Sequence, residues 1–192
     1  MTSAESEPFN TDELDIVSFL RQQHEQIRAL FSEVERSSGR ARGDAFDRFR
    51  RLLAVHETAE EQLVHPRARS ALGNGDQVVE ARLAEEHQAK QVLAELEKLD
   101  THSADFADMF ARFRQDVLAH AEAEERDEFP GLNRQLDAEQ LVRMRRAAEL
   151  AEQVAPTRPH PGVESAGANL LAGPFASMLD RIRDRLGGSG FN

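Results

Sequence analysis

HETAEEQLVHP occupies residues 56–66, and HAEAEERDEFP occupies residues 120–130. Each stretch opens with histidine, places glutamate four and five residues later, and reaches proline ten residues on. At 100° per residue, His56 and Glu60 share one helix face a turn apart, as do His120 and Glu124. That face is otherwise apolar. Phe46, Phe49, Leu52, Leu53 and Leu63 fall on the stripe that includes His56 and Glu60, while Phe106, Phe110, Phe113 and Val117 lead into His120 and Glu124. The repeat also extends upstream. FDRFRRLLAVHETAEE from Phe46 aligns with FARFRQDVLAHAEAEE from Phe110, and QQHEQ around His24 aligns with EEHQA around His87. Two helix pairs related by duplication predict a bundle with a pseudo-two-fold axis.

Four long segments carry helical periodicity with almost no Pro or Gly inside them: about 12–36, capped by Asn10 or Thr11; 44–65, stopping at Pro66; 76–99, after the GNG turn; and 103–129, opened by Ser103 and closed by Pro130. Short connections between them imply an all-α, up-down-up-down four-helix bundle over residues 11–132, preceded by a flexible N-terminus at 1–10. A fifth helix is expected within 133–155 and a Pro/Gly-rich linker at 156–174. An amphipathic C-terminal helix and tail should then fill 175–192, suited to docking or homodimerisation. The polar face of that helix mixes Asp180 and Asp184 with arginines, which disfavours a membrane surface.

A formal charge of -11, with Arg interleaved among Glu, argues against nucleic acid as a partner. The chain has no cysteine, so a metal would have to be held by His, Asp or Glu. It lacks a signal-like start and any membrane-length apolar run, which points to the cytoplasm. The excess of Arg over Lys reads as the genomic bias of a GC-rich bacterium.

By periodicity, His24, His56, His87 and His120 put one imidazole inward from each helix, and Glu60 and Glu124 add carboxylates. Burying these groups without partners would cost roughly several kcal/mol each, which a marginally stable domain cannot absorb. Any one His–Glu pair is ordinarily a satisfied core polar group. Four histidines, one per helix, beside a duplicated HxxxEE instead point to two divalent cations, with Glu60 and Glu124 near the axis able to bridge them. Mixed imidazole and carboxylate ligands suit iron best, ahead of manganese or zinc. Glu61 and Glu125, about 100° from the ligand face, read as supporting partners or solvated charges. His65 lies about 180° from His56 and reads as a packing or partly exposed residue, while His102 and His160 read as exposed.

These residues, His24, HETAEE from His56, His87 and HAEAEE from His120, resemble the hemerythrin-like (HHE cation-binding) family, over about residues 12–132. The C-terminal tail is similar to those of actinobacterial members. The resemblance implies an antiparallel bundle around a non-haem di-iron centre with carboxylate and oxo or hydroxo bridges. His24, His56 and Glu60 would serve one side, and His87, His120 and Glu124 the other. Glu57 matches an extra carboxylate ligand of iron-sensing members; its counterpart here is Ala121. Oxygen carriers have a second histidine where this chain has Leu83, and aspartate five residues after the fourth-helix histidine. These departures shift the expectation from reversible oxygen carriage toward chemistry on, or sensing of, peroxide, nitric oxide or dioxygen. An enzyme of oxidative or nitrosative defence, an iron or oxygen sensor without turnover, and a metal-free structural bundle are the three classes left open.

Overall fold

A computed structural model describes residues 14–154. All secondary structure in this range is helical. Helix α1 spans Ile16–Arg36 and buries Ile16, Val17, Leu20, Ile27, Phe31 and Val34 along one stripe. Its cap is Asp15, whose Oδ1 accepts the Ser18 N–H at 2.7 Å. The expected caps, Asn10 and Thr11, lie outside the described residues, as do the linker and the final amphipathic helix.

The break between the first two helices is only Ser37–Ser38, both extended. Gly39 follows at φ 55°, a left-handed step that glycine takes without steric cost. Helix α2 then runs over Gly39–Ala59, five residues earlier than expected, because the Arg–Ala–Arg of the presumed loop are good helix formers.

Neither proline of the repeat ends its helix. From α2 the chain passes through a π-turn at Glu60–Val64 into α3, His65–Ala71. After α4, Gly75–Leu96, helix α5 at Ala104–Ala123 likewise passes through a π-turn at Glu124–Glu128 into α6, Phe129–Gln135. The His65 N–H reaches back to the Glu60 carbonyl, and the Phe129 N–H to that of Glu124, five residues away in each case. The extra residue in the turn shifts the hydrogen-bond ladder by one, so a proline lacking an N–H can follow without stopping the rod. Ser103 caps α5 as expected, its Oγ accepting the Phe106 N–H at 3.1 Å. Helix α7, Ala138–Val154, packs against α1 and α2.

The interior has two apolar clusters. In one, Phe31, Phe46, Phe49, Phe106, Phe110 and Phe113 pack with neighbouring ring centroids 4.3–6.3 Å apart. In the other, Leu20, Leu63, Val64, Phe129 and Leu132 meet Leu141, Met144 and Ala148 of α7, which closes that end of the bundle. His24 lies on α1 between Leu20 of one cluster and Ile27 of the other. The repeated polar residues therefore form a layer between two dry plugs. Among the described residues, no helix is long and apolar enough to cross a membrane.

Gly75 packs so closely on the end of α3 that a Cβ would collide with the Arg69 and Ala68 carbonyl oxygens, whereas a Cβ at Gly43 would meet nothing within 4 Å. Gly75→Ala should therefore cost about 1–3 kcal/mol. Gly43→Ala should be stabilising by about 0.5–1 kcal/mol, since it relieves glycine of its helix penalty. Urea denaturation of both variants checks the order; a Gly75→Ala protein as stable as the parent would contradict the packing described.

Candidate metal centre

His24 on α1, His56 on α2, Glu60 and Glu124 in the two π-turns, His120 on α5 and Glu86 on α4 converge in the polar layer. Their side chains form two overlapping ligand groups, each with one donor atom per residue within 4.8 Å of the others: His24, His56, Glu60 and Glu124, and then Glu60, Glu86, His120 and Glu124. Glu60 and Glu124 belong to both. A residue shared between two neighbouring cation positions is a bridge, so the grouping has the geometry of a two-cation site with two bridging carboxylates.

The imidazoles are polarised the same way. On the outer side, His24 Nδ1 pairs with Glu125 Oε1 at 2.8 Å, His56 Nδ1 with Gln23 Oε1 at 2.9 Å, and His120 Nδ1 with Glu85 Oε2 at 2.8 Å. All three partners are acceptors, so the ring proton sits on Nδ1 and the lone pair on Nε2. On the inner side, His24 Nε2 faces Glu124 Oε2 at 3.4 Å and Glu60 Oε1 at 3.9 Å. His56 Nε2 and His120 Nε2 face Glu60 Oε2 and Glu124 Oε1, both at 3.3 Å. Lone pairs pointed at carboxylate oxygens repel unless a cation or a proton lies between them. The inner atoms His24 Nε2, His120 Nε2 and both oxygens of Glu60 and of Glu124 have no hydrogen-bond partner although all are buried. Outer-ring hydrogen bonds that fix tautomer and orientation are what metal-ligating histidines ordinarily have. The donors thus fit a pair of divalent cations.

Without a cation, protons have to take that place. Burial, followed by repulsion from Glu124 and Glu86, holds Glu60 well above the usual carboxylate range. Burial opposes ionisation of Glu124 too, but the facing imidazoles, His120 foremost, outweigh it and hold Glu124 low. The two acids are thus driven in opposite directions, Glu60 toward its neutral form and Glu124 toward its charged form. Burial would lower His120, yet Glu124 and Glu85 raise it to about 10; burial and then His24 lower His56 to about 3.

His87 does not join the centre. It is exposed on α4, where its Nε2 accepts from Gln91 Nε2 at 2.9 Å. Glu86, one residue earlier and 1% exposed, occupies the inward position instead. Its place is fixed by Val79 and Leu93, seven residues to either side on the buried stripe, whereas His87 lies 100° off that stripe. Glu57 is buried in the cavity wall but falls outside both ligand groups. Burial pushes its carboxyl up to about 8 despite Lys90, whose Nζ is 3.9 Å away. Glu61 is ion-paired to Lys90, and Glu125 accepts from His24 Nδ1.

His65 is corrected as well. It is 2% exposed, with Nε2 2.5 Å from Glu86 Oε1 and Nδ1 2.9 Å from Glu128 Oε1. A uniform 100° turn puts it on the far face, but the π-turn between Glu60 and His65 resets the rotation. His102 is exposed and pairs with Asp100; His160 lies outside the described residues. A cavity of about 230 Å³ adjoins the centre between α4 and α5. Its lining includes His24, His56, Glu86 and His120 together with the apolar Ile27, Leu53, Val92, Phe113 and Val117.

Fold and site together define a four-helix bundle with a buried His/Glu cation-binding centre. The chain belongs to the hemerythrin HHE cation binding domain family, whose profile matches residues 15–132. A hemerythrin-like protein of Schizosaccharomyces pombe is 26% identical over 136 residues, 70% of this chain and 67% of that one. A DNA nickase of a Nostoc species is 25% identical over 139 residues, 72% of this chain, and the match spans only 39% of that longer relative. The crystal structure of a hemerythrin HHE cation binding domain-containing protein from Mycobacterium kansasii superposes with a TM-score of 0.64 at 21% identity. It covers 88% of this chain and 99% of its own, and so shares the fold.

If the inward residue of α4 is Glu86, Glu86→Ala should weaken binding of the more weakly held cation by about 10- to 100-fold or abolish it. His87→Ala should leave it within about twofold. On the same footing, Glu60→Ala should lose more affinity than Glu61→Ala. Calorimetric titration of chelator-treated protein with Fe(II) under argon measures all four; a loss at His87 as large as at Glu86 would refute the orientation of α4.

Proposed function

We propose that this chain binds two non-haem iron ions in the centre and acts on, or senses, a small oxidant: peroxide, nitric oxide or dioxygen. The single observation behind this reading is the pair of ligand groups sharing Glu60 and Glu124, with buried inner donors that lack any other partner. Iron is favoured because the set mixes imidazole with carboxylate and contains no sulfur. The centre resembles those of di-iron carboxylate bundles, in which glutamate and histidine project inward from facing helices.

Iron bound there would supply Lewis acidity and one-electron chemistry toward an oxidant. The protein's own contributions are separate from this. Nδ1 hydrogen bonds to Glu125, Gln23 and Glu85 lock the three imidazoles. Ile27, Leu53, Val92, Phe113 and Val117 make much of the cavity lining apolar, so a small uncharged molecule enters it more readily than a hydrated anion. Glu57, held neutral at pH 7 by burial, carries a proton on a cavity-lining carboxyl where an incoming oxygen can accept it. The proposed setting is the cytoplasm, in keeping with a chain free of cysteine.

A sensor without turnover is the second reading. The observation favouring it is the buried acid cluster itself: Glu60, Glu86 and Glu124 meet between the helices, and losing the cations would leave them facing one another. Metal loss would then loosen the bundle.

Protein purified with iron available should contain two iron atoms per chain and, with neither Tyr nor Trp in the sequence, show near-ultraviolet bands of bridged ferric iron unobscured. Well under two metals per chain would defeat the proposal. Oxygen evolution from peroxide that disappears in His120→Ala favours the enzyme; an iron-dependent gain in protease resistance without turnover favours the sensor. Because His120, raised to about 10, is protonated in the metal-free protein at pH 7 and must deprotonate to ligate, binding should release about one proton. Apparent affinity should then rise about tenfold per pH unit between pH 6 and 8. Titrations in buffers of different ionisation enthalpy count the protons; none released would contradict the protonation described.

A further inference from the structure

The duplication pairs His65 with Phe129, 64 residues later, each at the first residue after its π-turn. Both are buried and both lie against a residue of the centre contributed by the opposite half. The Phe129 ring lies nearly parallel to the imidazole of His24, with centroids 5.8 Å apart and 11° between planes. His65 Nε2 lies 2.5 Å from Glu86 Oε1. The residue that α1 sends inward is an imidazole and is backed by a flat apolar ring; the residue that α4 sends inward is a carboxylate and is backed by a hydrogen-bond donor. The two halves differ at ligand and support together.

We infer that His65 is a positioning residue for the second cation. It holds Glu86 at one carboxylate oxygen, so that the other, Oε2, is presented to the centre. Glu86 Oε2 is buried and has no hydrogen-bond partner, as expected of an oxygen kept for something the protein itself does not supply. Lys90 approaches Oε2 only to 3.9 Å. His65 in turn is oriented by Glu128, whose Oε1 is 2.9 Å from Nδ1 and whose side chain is fully buried in the second π-turn. A chain of contacts thus runs from one π-turn through His65 to a ligand on α4. A carboxylate free to rotate about its terminal bond would lose entropy on ligation; a carboxylate already tied at one oxygen has lost most of it.

This inference rests on the two-cation reading, and the test keeps the two apart. Full-length chelator-treated protein is titrated with Co(II), whose visible bands report coordination geometry, alongside His65→Phe and His65→Gln. Phe fills the same space, as it already does at position 129; Gln keeps an N–H donor toward Glu86. Far-ultraviolet circular dichroism and thermal melts establish that each variant is folded. The wild-type protein should take up two Co(II). His65→Phe should bind the first Co(II) as the parent does, bind the second about 10- to 100-fold more weakly, and lose the matching part of the visible spectrum. His65→Gln should recover the second Co(II) to within about threefold. Two Co(II) bound equally by all three proteins would overturn the role of His65 while leaving the two-cation reading intact. Equal losses in both variants would also overturn it, because they would mark His65 as packing alone. Fewer than two Co(II) in the parent would remove both.

Discussion

The interior holds two carboxylates, Glu60 and Glu124, that face one another and three imidazole nitrogens without a hydrogen bond to any of their four oxygens. An unpaired buried carboxylate costs several kcal/mol by typical magnitudes, comparable with the whole net stability of a domain. Most of the surrounding architecture is intelligible as a response to that cost. The phenylalanine cluster and the α7 cap keep the layer dry and its field unscreened. The outer hydrogen bonds at Nδ1 aim three lone pairs at the same acids. Cations placed among them convert the repulsion into the interaction that ties four helices together.

The π-turns are the backbone side of the same arrangement. Each begins on a glutamate shared by both ligand groups, and each is followed by proline two residues after its end. A regular helix would carry the next turn away from the centre. The wider turn lets His65 and Glu128 point inward beyond the bridges, giving the site a buried supporting layer that a straight rod could not provide. The repeated proline is the sequence trace of this device, since it marks where the ladder has shifted and an N–H can be absent.

The bundle, its duplication and five of the six side chains that converge in the polar layer could be read from spacing, because apolar residues at three and four residues identify a face wherever the helix is regular. The reading failed in two places for two reasons. At His87, residue chemistry was followed in preference to position: the stripe through Val79 and Leu93 selects Glu86, and glutamate on a stripe is easily passed over beside a histidine. The duplication itself gave warning, for His24 and His87 are 63 residues apart while the HxxxEE motifs are 64 apart. One residue of slip is a rotation of about 100°. At His65 the fixed angle per residue was carried through a π-turn, where it does not hold. The Nδ1 partners Gln23 and Glu85 left no periodic signal, because they adjoin the buried stripe and their role depends on which neighbour faces them.

Duplication gave the centre its frame, and substitution then made its halves unequal. One ligand group draws two imidazoles and the other one imidazole and an additional carboxylate, so the second position is the more negatively charged and the better suited to a harder, more highly charged ion. The surroundings follow the same division. His24 is covered by the Phe129 ring on one side and held at Nδ1 by Glu125, whereas Glu86 is held at Oε1 by His65; His24, His56, Glu86 and His120 all line the cavity. A molecule arriving through that cavity meets donors of both ligand groups, so what would distinguish two cations bound there is the ligands and not the direction of access.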